Sequence, residues 1–200
     1  MCNKFAFLFL LVIAIIPTQG FAQSNQPWQV SALGGVFSPA DDELQNVYGD
    51  AAVAKLAVGT PIGQWGRLRF ATDYFNRDGD PFYQSKDFDA GDAGELTLTG
   101  ISLSLQTNPL TTGYPRLYFG AGVDYVFAKE EIIGQDTGDG SAIGAHVSFT
   151  PEFRISQRLI FVTEASYRFL EITFKSGRER YQFNLSGARL LIGLGLNLGT

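Results

Sequence analysis

An alternation of side chains with a period of two residues constrains this chain more than any other feature. It is clearest in Arg116–Lys129, where one face is apolar and the other is small and rich in glycine. A period of two places successive side chains on opposite faces of a β-strand. A soluble sheet would expose lysine and glutamate on its second face, whereas a small face suits the interior of a narrow barrel. The apolar face holds Leu117, Phe119, Ala121, Val123, Tyr125 and Phe127, and the other holds Tyr118, Gly120, Gly122, Asp124 and Ala128.

The same pattern recurs in eight segments, an even number that allows a closed antiparallel sheet. Most segments equal or exceed the roughly 9 to 11 residues that a tilted strand needs to cross the hydrocarbon layer of a bilayer. We therefore predict an all-β fold, an eight-stranded antiparallel transmembrane β-barrel with up-and-down topology. The predicted strands are Trp28–Phe37, Ala51–Ile62, Arg67–Arg77, Glu95–Thr107, Arg116–Lys129, Gly140–Phe153, Arg158–Phe174 and Gln182–Gly199.

The first residues follow a different pattern, which indicates an export signal. A lysine precedes the unbroken apolar run Phe5–Ile16, and a small-x-small pattern ends at Ala22. These are the parts of a cleavable signal peptide, and the run is shorter than the roughly 20 residues of a spanning helix. We therefore predict a signal peptide at residues 1–22 and a barrel domain at residues 23–200. The single cysteine, Cys2, lies in the segment to be removed.

The connections between the predicted strands alternate in length and charge. Short turns alternate with longer, acidic loops, as in barrels whose periplasmic turns are short and whose external loops are long. Aromatic residues fall near both strand ends, where amphipathic rings favour the headgroup level. We therefore expect both chain termini on the periplasmic side. The turns lie at residues 63–66, 108–115 and 155–157, and the loops at residues 38–50, 78–94, 130–139 and 175–181.

Three segments resemble the late strands of the OmpA/OmpX-like superfamily of small, porin-like β-barrels in the outer membrane of the Gram-negative cell envelope. They read RLYFGAGVDYVFAK, LIFVTEASYRF and NLSGARLLIGLGLNL. The resemblance implies an outer-membrane location, with membrane lipid and lipopolysaccharide around the barrel. It also implies insertion by the barrel-insertion machinery, which commonly recognises a final aromatic residue, whereas this sequence reads Leu198-Gly199-Thr200. We expect a monomer.

The predicted inward faces carry ionisable side chains of both signs. Burying a charge without a partner costs several kcal/mol, so these side chains are expected to form ion pairs. We predict pairing of Arg168 with Glu164, which are four residues apart on one face. Cross-strand ion pairs are also expected, because Asp124 sits on the strand next to that of Glu152 and Arg154. In a barrel this narrow, a paired network that closes the lumen is favoured over a gated path for small or apolar solutes. The predicted network comprises Lys55, Arg69, Arg154, Arg168, Arg189, Asp73, Asp124, Glu152, Glu164 and His146.

His146 and Ser148 form a His-x-Ser pair, and Glu152 or Glu164 could supply a carboxylate. This pair is similar to one in the lipid A 3-O-deacylase barrels, where serine, histidine and an acid would act as nucleophile, base and orienting group. Because His146 is predicted to face inward, an acyl chain could not reach it, and we interpret it as a hydrogen-bonded interior residue. The sequence offers no second histidine, phosphate-binding loop or basic stretch, so we predict no enzyme activity, cofactor, metal or nucleic-acid binding.

The predicted external loops carry the acidic excess of a chain with net charge −5. Asp78 and Asp80 alternate as in a calcium loop but lack its glycine, so we expect only loose cation bridging to lipopolysaccharide. Arg178 and Arg180 are predicted to contact its phosphates. The favoured function is a structural or surface-interaction role through these loops, with an unidentified extracellular ligand. A narrow channel for small or hydrophobic solutes is the alternative, and a lipid A-modifying enzyme is a remote one.

Overall fold

The computed structural model describes residues 28–63, 66–80, 94–109, 113–131, 137–176 and 179–198. The predicted signal peptide lies outside these residues. Within them, no α-helix is both long and apolar enough to cross a bilayer. The elements are β1 (Trp28–Pro39), α1 (Asp42–Tyr48), β2 (Ala51–Ile62), β3 (Gly66–Asp78), β4 (Glu95–Thr107), β5 (Arg116–Glu131), β6 (Gly138–Arg154), β7 (Leu159–Phe169), β8 (Glu171–Ser176), β9 (Glu179–Asn184) and β10 (Gly187–Leu198).

The strands form one antiparallel sheet that closes on itself. Strands β1 to β7 pair consecutively, β7 also pairs with β10, and β10 pairs back with β1. β8 and β9 continue β7 and β10, because the register that joins Arg168 to Gly187 also joins Glu171 to Asn184. The predicted eight-stranded up-and-down barrel is therefore confirmed. The seventh and eighth predicted strands are each interrupted.

The interruption lies at Leu170 and Ser186. The Leu170 amide donates to the Ser186 hydroxyl oxygen at 3.0 Å, so a side chain replaces the backbone partner there. Beyond this point β8 and β9 pair with each other as a ribbon, and β8 also pairs with β6, so that the ribbon extends the barrel wall. Ile172 and Phe174 of β8 are buried. The predicted fourth loop is thus largely a β-ribbon that extends the wall at the end of the barrel near the long loops, which we call the loop end.

The outer wall of the barrel is apolar. Outward side chains at the middle of the strands are aliphatic and exposed, as the period of two predicts. Aromatic side chains lie nearer the strand ends, among them Trp28, Phe153 and Phe169. Tyr118 faces the interior and is buried, as its place on the second face of its strand predicts. The aliphatic positions include Val58, Val123, Val147, Leu190 and Ile192.

The first predicted loop contains a helix, α1, that the sequence prediction missed. The Asp41 carboxylate caps its first turn by accepting from the amides of Glu43 and Leu44 at 3.0 and 3.1 Å. Gly49, with φ of 62°, ends it. Leu44, Val47 and Tyr48 are buried, and their spacing places them on one face of the helix. This face points into the loop end of the barrel and joins its apolar core.

Two glycines allow the first and last strands to approach closely at the seam where the barrel closes. A Cβ atom at Gly35 would lie 2.0 Å from the carbonyl oxygen of Leu190. A Cβ atom at Gly193 would lie 2.0 Å from the carbonyl oxygen of Ala32. Because the opposing atoms belong to the backbone, no side-chain rotation can relieve either contact. The seam between β1 and β10 therefore requires glycine at both positions.

We predict that Gly35→Ala prevents most of the protein from closing into a barrel, because the added methyl group overlaps the β10 backbone. Unboiled and boiled samples compared on a denaturing gel would show loss of the fast-migrating, heat-modifiable form. Gly34→Ala is the matched control, since its Cβ atom would have no neighbour closer than 4.0 Å. Equal amounts of the heat-modifiable form in the two variants would contradict the importance of this seam.

Candidate functional site

The interior of the barrel is the candidate site, because alternate residues of each strand direct charged side chains into it. Among the described residues, the buried cations and anions are equal in number. Pairing within so narrow a space offsets the cost of desolvating each charge. The cations are Lys55, Arg67, Arg69, Arg168 and Arg189, and the anions are Asp73, Asp124, Glu130, Glu152 and Glu164.

Glu164 joins two cations from the opposite side of the lumen. Its Oε1 atom lies 2.7 Å from the Nζ atom of Lys55, and its Oε2 atom accepts from Nη1 of Arg69. The carboxylate comes from β7, whereas the cations come from β2 and β3. These strands are not neighbours in the sheet, so the two ion pairs cross the interior.

Asp73 and Asp124 form the second part of this central layer. Nη2 of Arg168 donates to both Asp73 oxygens, at 2.7 and 3.0 Å, and Nη1 of Arg189 lies 3.4 Å from Oδ1 of the same residue. Nε of Arg168 lies 3.5 Å from Oδ2 of Asp124. That oxygen is also 3.0 Å from Nδ1 of His146. Residues from β3, β5, β6, β7 and β10 thus meet in one cluster.

A separate polar layer lies nearer the short turns and is centred on Arg67. Its Nη1 atom donates to Glu152 at 2.5 Å and also to the Gln29 side chain. Its Nε atom donates to Gln106 at 2.7 Å, and its guanidinium stacks on the Tyr118 ring at 3.9 Å from the centroid. Cation–π stacking and charge-assisted hydrogen bonds hold this arginine in one orientation.

Inward-facing glycines make room for the charged side chains on the strands beside them. A Cβ atom at Gly100 would lie 2.8 Å from a carboxylate oxygen of Asp73. One at Gly122 would lie 2.6 Å from Cε1 of His146. The small face that marks the sequence as a barrel therefore has a second role, because it allows long polar side chains to lie against the wall.

The loop end of the interior is apolar. Residues of β1 to β5 contribute aliphatic and aromatic side chains, and buried side chains of α1 and β8 pack in the same cluster. The hydroxyl group of Tyr48 donates to Glu130 at 2.5 Å, and Nε of Arg77 donates to the Tyr48 carbonyl oxygen at 3.0 Å. These bonds tie α1 to β3 and β5. The covered side chains include Phe37, Val53, Phe75, Leu96, Leu98 and Val126.

Most residues of the predicted network lie in the interior. The set of residues that belongs to the network, and the partners within it, differ from the prediction. Arg154 is exposed at the end of β6, 5.2 Å from the centroid of the Tyr114 ring, because its strand ends there. Arg67 and Glu130 are buried and were missed, although each has the period-two spacing of an inward residue. The predicted pair of Arg168 with Glu164 is also wrong, since cations from other strands bind Glu164.

The His-x-Ser pair occupies a closed environment. Asp124 contacts His146, and the Ser148 hydroxyl oxygen accepts from Nε2 of Gln106 at 3.5 Å. The glutamates suggested as catalytic acids are instead bound to cations, Glu152 to Arg67 and Glu164 to Lys55 and Arg69. In the described part of the chain, no cluster of three or more histidine, cysteine, aspartate or glutamate side chains could hold a metal ion.

Among the residues predicted to contact lipopolysaccharide, those that the structure describes lie at the loop end of the barrel. Asp78 ends β3, and both Asp78 and Asp80 are exposed. The Asp80 amide donates to the Val47 carbonyl oxygen at 2.7 Å, which links this segment to α1. Arg180 lies on β9 opposite Lys175. Arg178 and the side chain of Arg180 lie outside the described residues.

Closure, strand number and a filled polar interior define the fold of the small outer-membrane β-barrels. Comparison with solved structures supports this assignment of the fold. OprG from Pseudomonas aeruginosa matches with a TM-score of 0.71 at 12% identity, covering 88% of this chain and 97% of that one. Neisserial surface protein A matches with a TM-score of 0.59 at 17% identity, covering 86% and 97%. AlkL, solved in lipid bilayers, matches with a TM-score of 0.57 at 11% identity, covering 88% and 93%.

These likenesses confirm the resemblance to OmpA/OmpX-like barrels at the level of the fold. At such low identity they carry no information about function. No protein-family model matches the sequence. No curated protein matches it either.

We predict that Glu164→Gln lowers the free energy of unfolding by about 3–5 kcal/mol, because it leaves two buried cations without their anion. Urea unfolding of the refolded protein in detergent measures the change. Glu131→Gln is the control, since it removes the partner of Lys129 in an exposed ion pair and should have little effect. Similar stability of the two variants would show that the cross-lumen pairs contribute little.

Proposed function

We propose that this protein is a monomeric, non-enzymatic outer-membrane barrel with a closed lumen, which acts through the surface formed by its loops. The observation that carries the proposal is the pair of polar layers, in which ion pairs from strands on opposite walls cross the interior. An eight-stranded barrel leaves room for little besides such side chains. A lumen filled in this way leaves the loop surface as the part available to a partner.

The location in the outer membrane is supported by the barrel's outer wall. A band of exposed aliphatic residues flanked by aromatic ones matches the surface that a bilayer covers. The short turns and long loops favour an orientation with termini in the periplasm. Cleavage of the signal peptide near Ala22 remains a prediction that the mass of the exported protein would test.

The loop surface is acidic and partly rigid. Exposed carboxylates surround α1 and the ribbon, and the helix is tied to its neighbours through Tyr48, Arg77 and Asp80. Such a surface favours divalent cations or a cationic partner, and cations held there could link Asp78 and Asp80 to lipopolysaccharide. Arg178 and Arg180 would add direct contacts with its phosphates. The exposed acids include Asp42, Asp50, Asp78, Asp80, Glu131, Asp139 and Glu171.

Planar-bilayer recording tests the closed lumen. We expect the purified protein to insert without stable single-channel steps, because paired charges and packed side chains occupy the interior. A large porin recorded under the same conditions controls for insertion and sensitivity. Reproducible steps from the heat-modifiable form of this protein would overturn the closed-lumen proposal.

A second candidate function follows from the apolar loop end of the interior. Apolar side chains line this end, and α1 covers them with Leu44 and Val47. If α1 moved aside, the exposed lining would suit a hydrophobic solute. Passage further inward would still meet the charged central layer, so binding is better supported than conduction.

We predict that Leu44→Ser/Val47→Ser increases binding of an apolar fluorescent probe, because the weakened helix uncovers the lining. Fluorescence titration with N-phenyl-1-naphthylamine measures this binding in folded protein. Asp42→Ser/Gln45→Ser, which changes the more exposed side of the same helix, is the control. Unchanged binding in the first variant would remove the second candidate.

A further inference from the structure

The charges inside the barrel balance in total but not along its length. Among the described residues, five buried cations face five buried carboxylates. Glu130, one of these carboxylates, lies at the loop end, where it accepts from Tyr48. It is six residues beyond Asp124 on β5, which is about 20 Å along the strand. The charged central layer and the layer around Arg67 therefore hold five buried cations against four carboxylates.

Arg116 adds another positive charge at the end of the barrel near the short turns, which we call the turn end. It lies on the inward face of β5, two residues before the buried Tyr118, and the strand register places it opposite Glu152. Glu152 is bound to Nη1 of Arg67 at 2.5 Å. In the described part of the chain, no ion pair joins a carboxylate to Arg116. The turn end of the lumen is therefore positively charged.

A small cavity lies among these groups at the turn end. Its volume is about 10 Å³, which is room for one occupant of about the size of a water molecule. Sheet pairing brings its walls together, because Gln29 lies opposite Asn197 across the β1–β10 seam and Arg116 lies opposite Glu152. The side chains around it include Arg67, Arg116, Gln29, Asn197, Tyr118 and Glu152.

The lining of this cavity has hydrogen-bond donors that the protein leaves unused. Arg67 is only 4% exposed, and its Nη1 and Nε atoms donate to Glu152, Gln29 and Gln106. Its Nη2 atom is buried and has no hydrogen-bond partner. The side-chain oxygen of Gln29 already accepts from Arg67, which leaves the amide nitrogen of Gln29 for a further acceptor. An occupant of the cavity must therefore accept hydrogen bonds.

Charge distinguishes between water and an anion as the occupant. A water molecule would accept these hydrogen bonds but would leave the excess positive charge unchanged. Leaving a buried charge without a counter-ion is costly, and an anion in the cavity would offset that cost. An anion small enough for this cavity is monatomic, so it carries a single negative charge.

We propose that the cavity binds one halide-sized monovalent anion, with chloride as the natural ligand, between Arg67 and Arg116. Glu152 stays bound to Nη1 of Arg67, while the anion accepts from the unused donors and from Arg116 at the mouth of the lumen. Hydrogen bonds from guanidinium groups to an anion are about twice as strong as those between neutral groups. The site needs only the folded barrel and lies at the end opposite the loop surface, so it goes beyond the proposed function.

Crystals of the barrel grown in sodium bromide test the location, because bromide replaces chloride and scatters anomalously. We expect one anomalous peak in the cavity, within hydrogen-bond distance of Arg67. If the cavity shows no peak, it holds water only and the proposal is overturned.

Urea unfolding in a non-ionic detergent measures the affinity in solution, because an anion that binds only the folded barrel raises the unfolding midpoint. We expect a higher midpoint in sodium bromide than in sodium gluconate of the same ionic strength, since gluconate is too large for the cavity. Arg116→Gln should weaken bromide binding on the order of tenfold, from the loss of one charge-assisted hydrogen bond. Arg158→Gln is the matched control, because Arg158 is exposed and does not line the cavity.

Each combination of results decides for or against the site. A bromide effect that is reduced in Arg116→Gln and retained in Arg158→Gln supports it. Equal effects in all three proteins overturn it, and equal losses in both variants overturn it in favour of a general positive potential at the turn end. A heat-modifiable gel shift is checked first. If Arg116→Gln misfolds, Asn197→Leu replaces it, since it fills the cavity without a change of charge and should abolish the bromide effect.

Discussion

Closure of the sheet between β1 and β10 is the constraint on which the rest of the structure depends. An open sheet would place Lys55 on β2 far from Glu164 on β7, whereas the closed sheet brings them to 2.7 Å across the interior. Closure also fixes the width of the lumen, because eight strands enclose only enough space for side chains. The ion pairs are thus a consequence of the ring, and they in turn connect its opposite walls.

The interior changes in character along the barrel axis. A hydrogen-bonded layer around Arg67 lies near the short turns, a charged layer around Asp73 and Glu164 follows, and an apolar region covered by α1 lies at the loop end. A polar solute would meet an apolar region first and an apolar solute would meet fixed charges further in. This order opposes free passage of both polar and apolar solutes.

The sequence predicts the faces of the strands well, because a period of two determines which residues point inward. It does not predict partners, since the residues that meet across a lumen depend on strand tilt and ring closure. Glu164 therefore pairs with Lys55 and Arg69 rather than with Arg168 on its own strand. The alternation also does not determine where a strand ends. For this reason the sequence pattern predicts Arg154 inside the barrel and does not predict Glu130 there.

The helix α1 was missed for a different reason. Its seven residues are too few to show a helical period, and only the capping residues Asp41 and Gly49 signal it. The ribbon was partly predicted, because its residues continue the apolar alternation of β7. The interruption at Leu170 depends on a hydrogen bond to Ser186, which is distant in sequence and carries no local pattern.

Each glycine that faces the interior limits which residues can be substituted on the neighbouring strand. Gly59 leaves room for Arg67 as Gly100 does for Asp73, so each charged residue depends on the absence of a side chain elsewhere. Neither member of such a pair can change size freely while the other stays fixed. Among homologous sequences, a larger residue at Gly100 should therefore accompany a different residue at position 73. Such paired substitutions would identify which residues lie opposite each other on neighbouring strands.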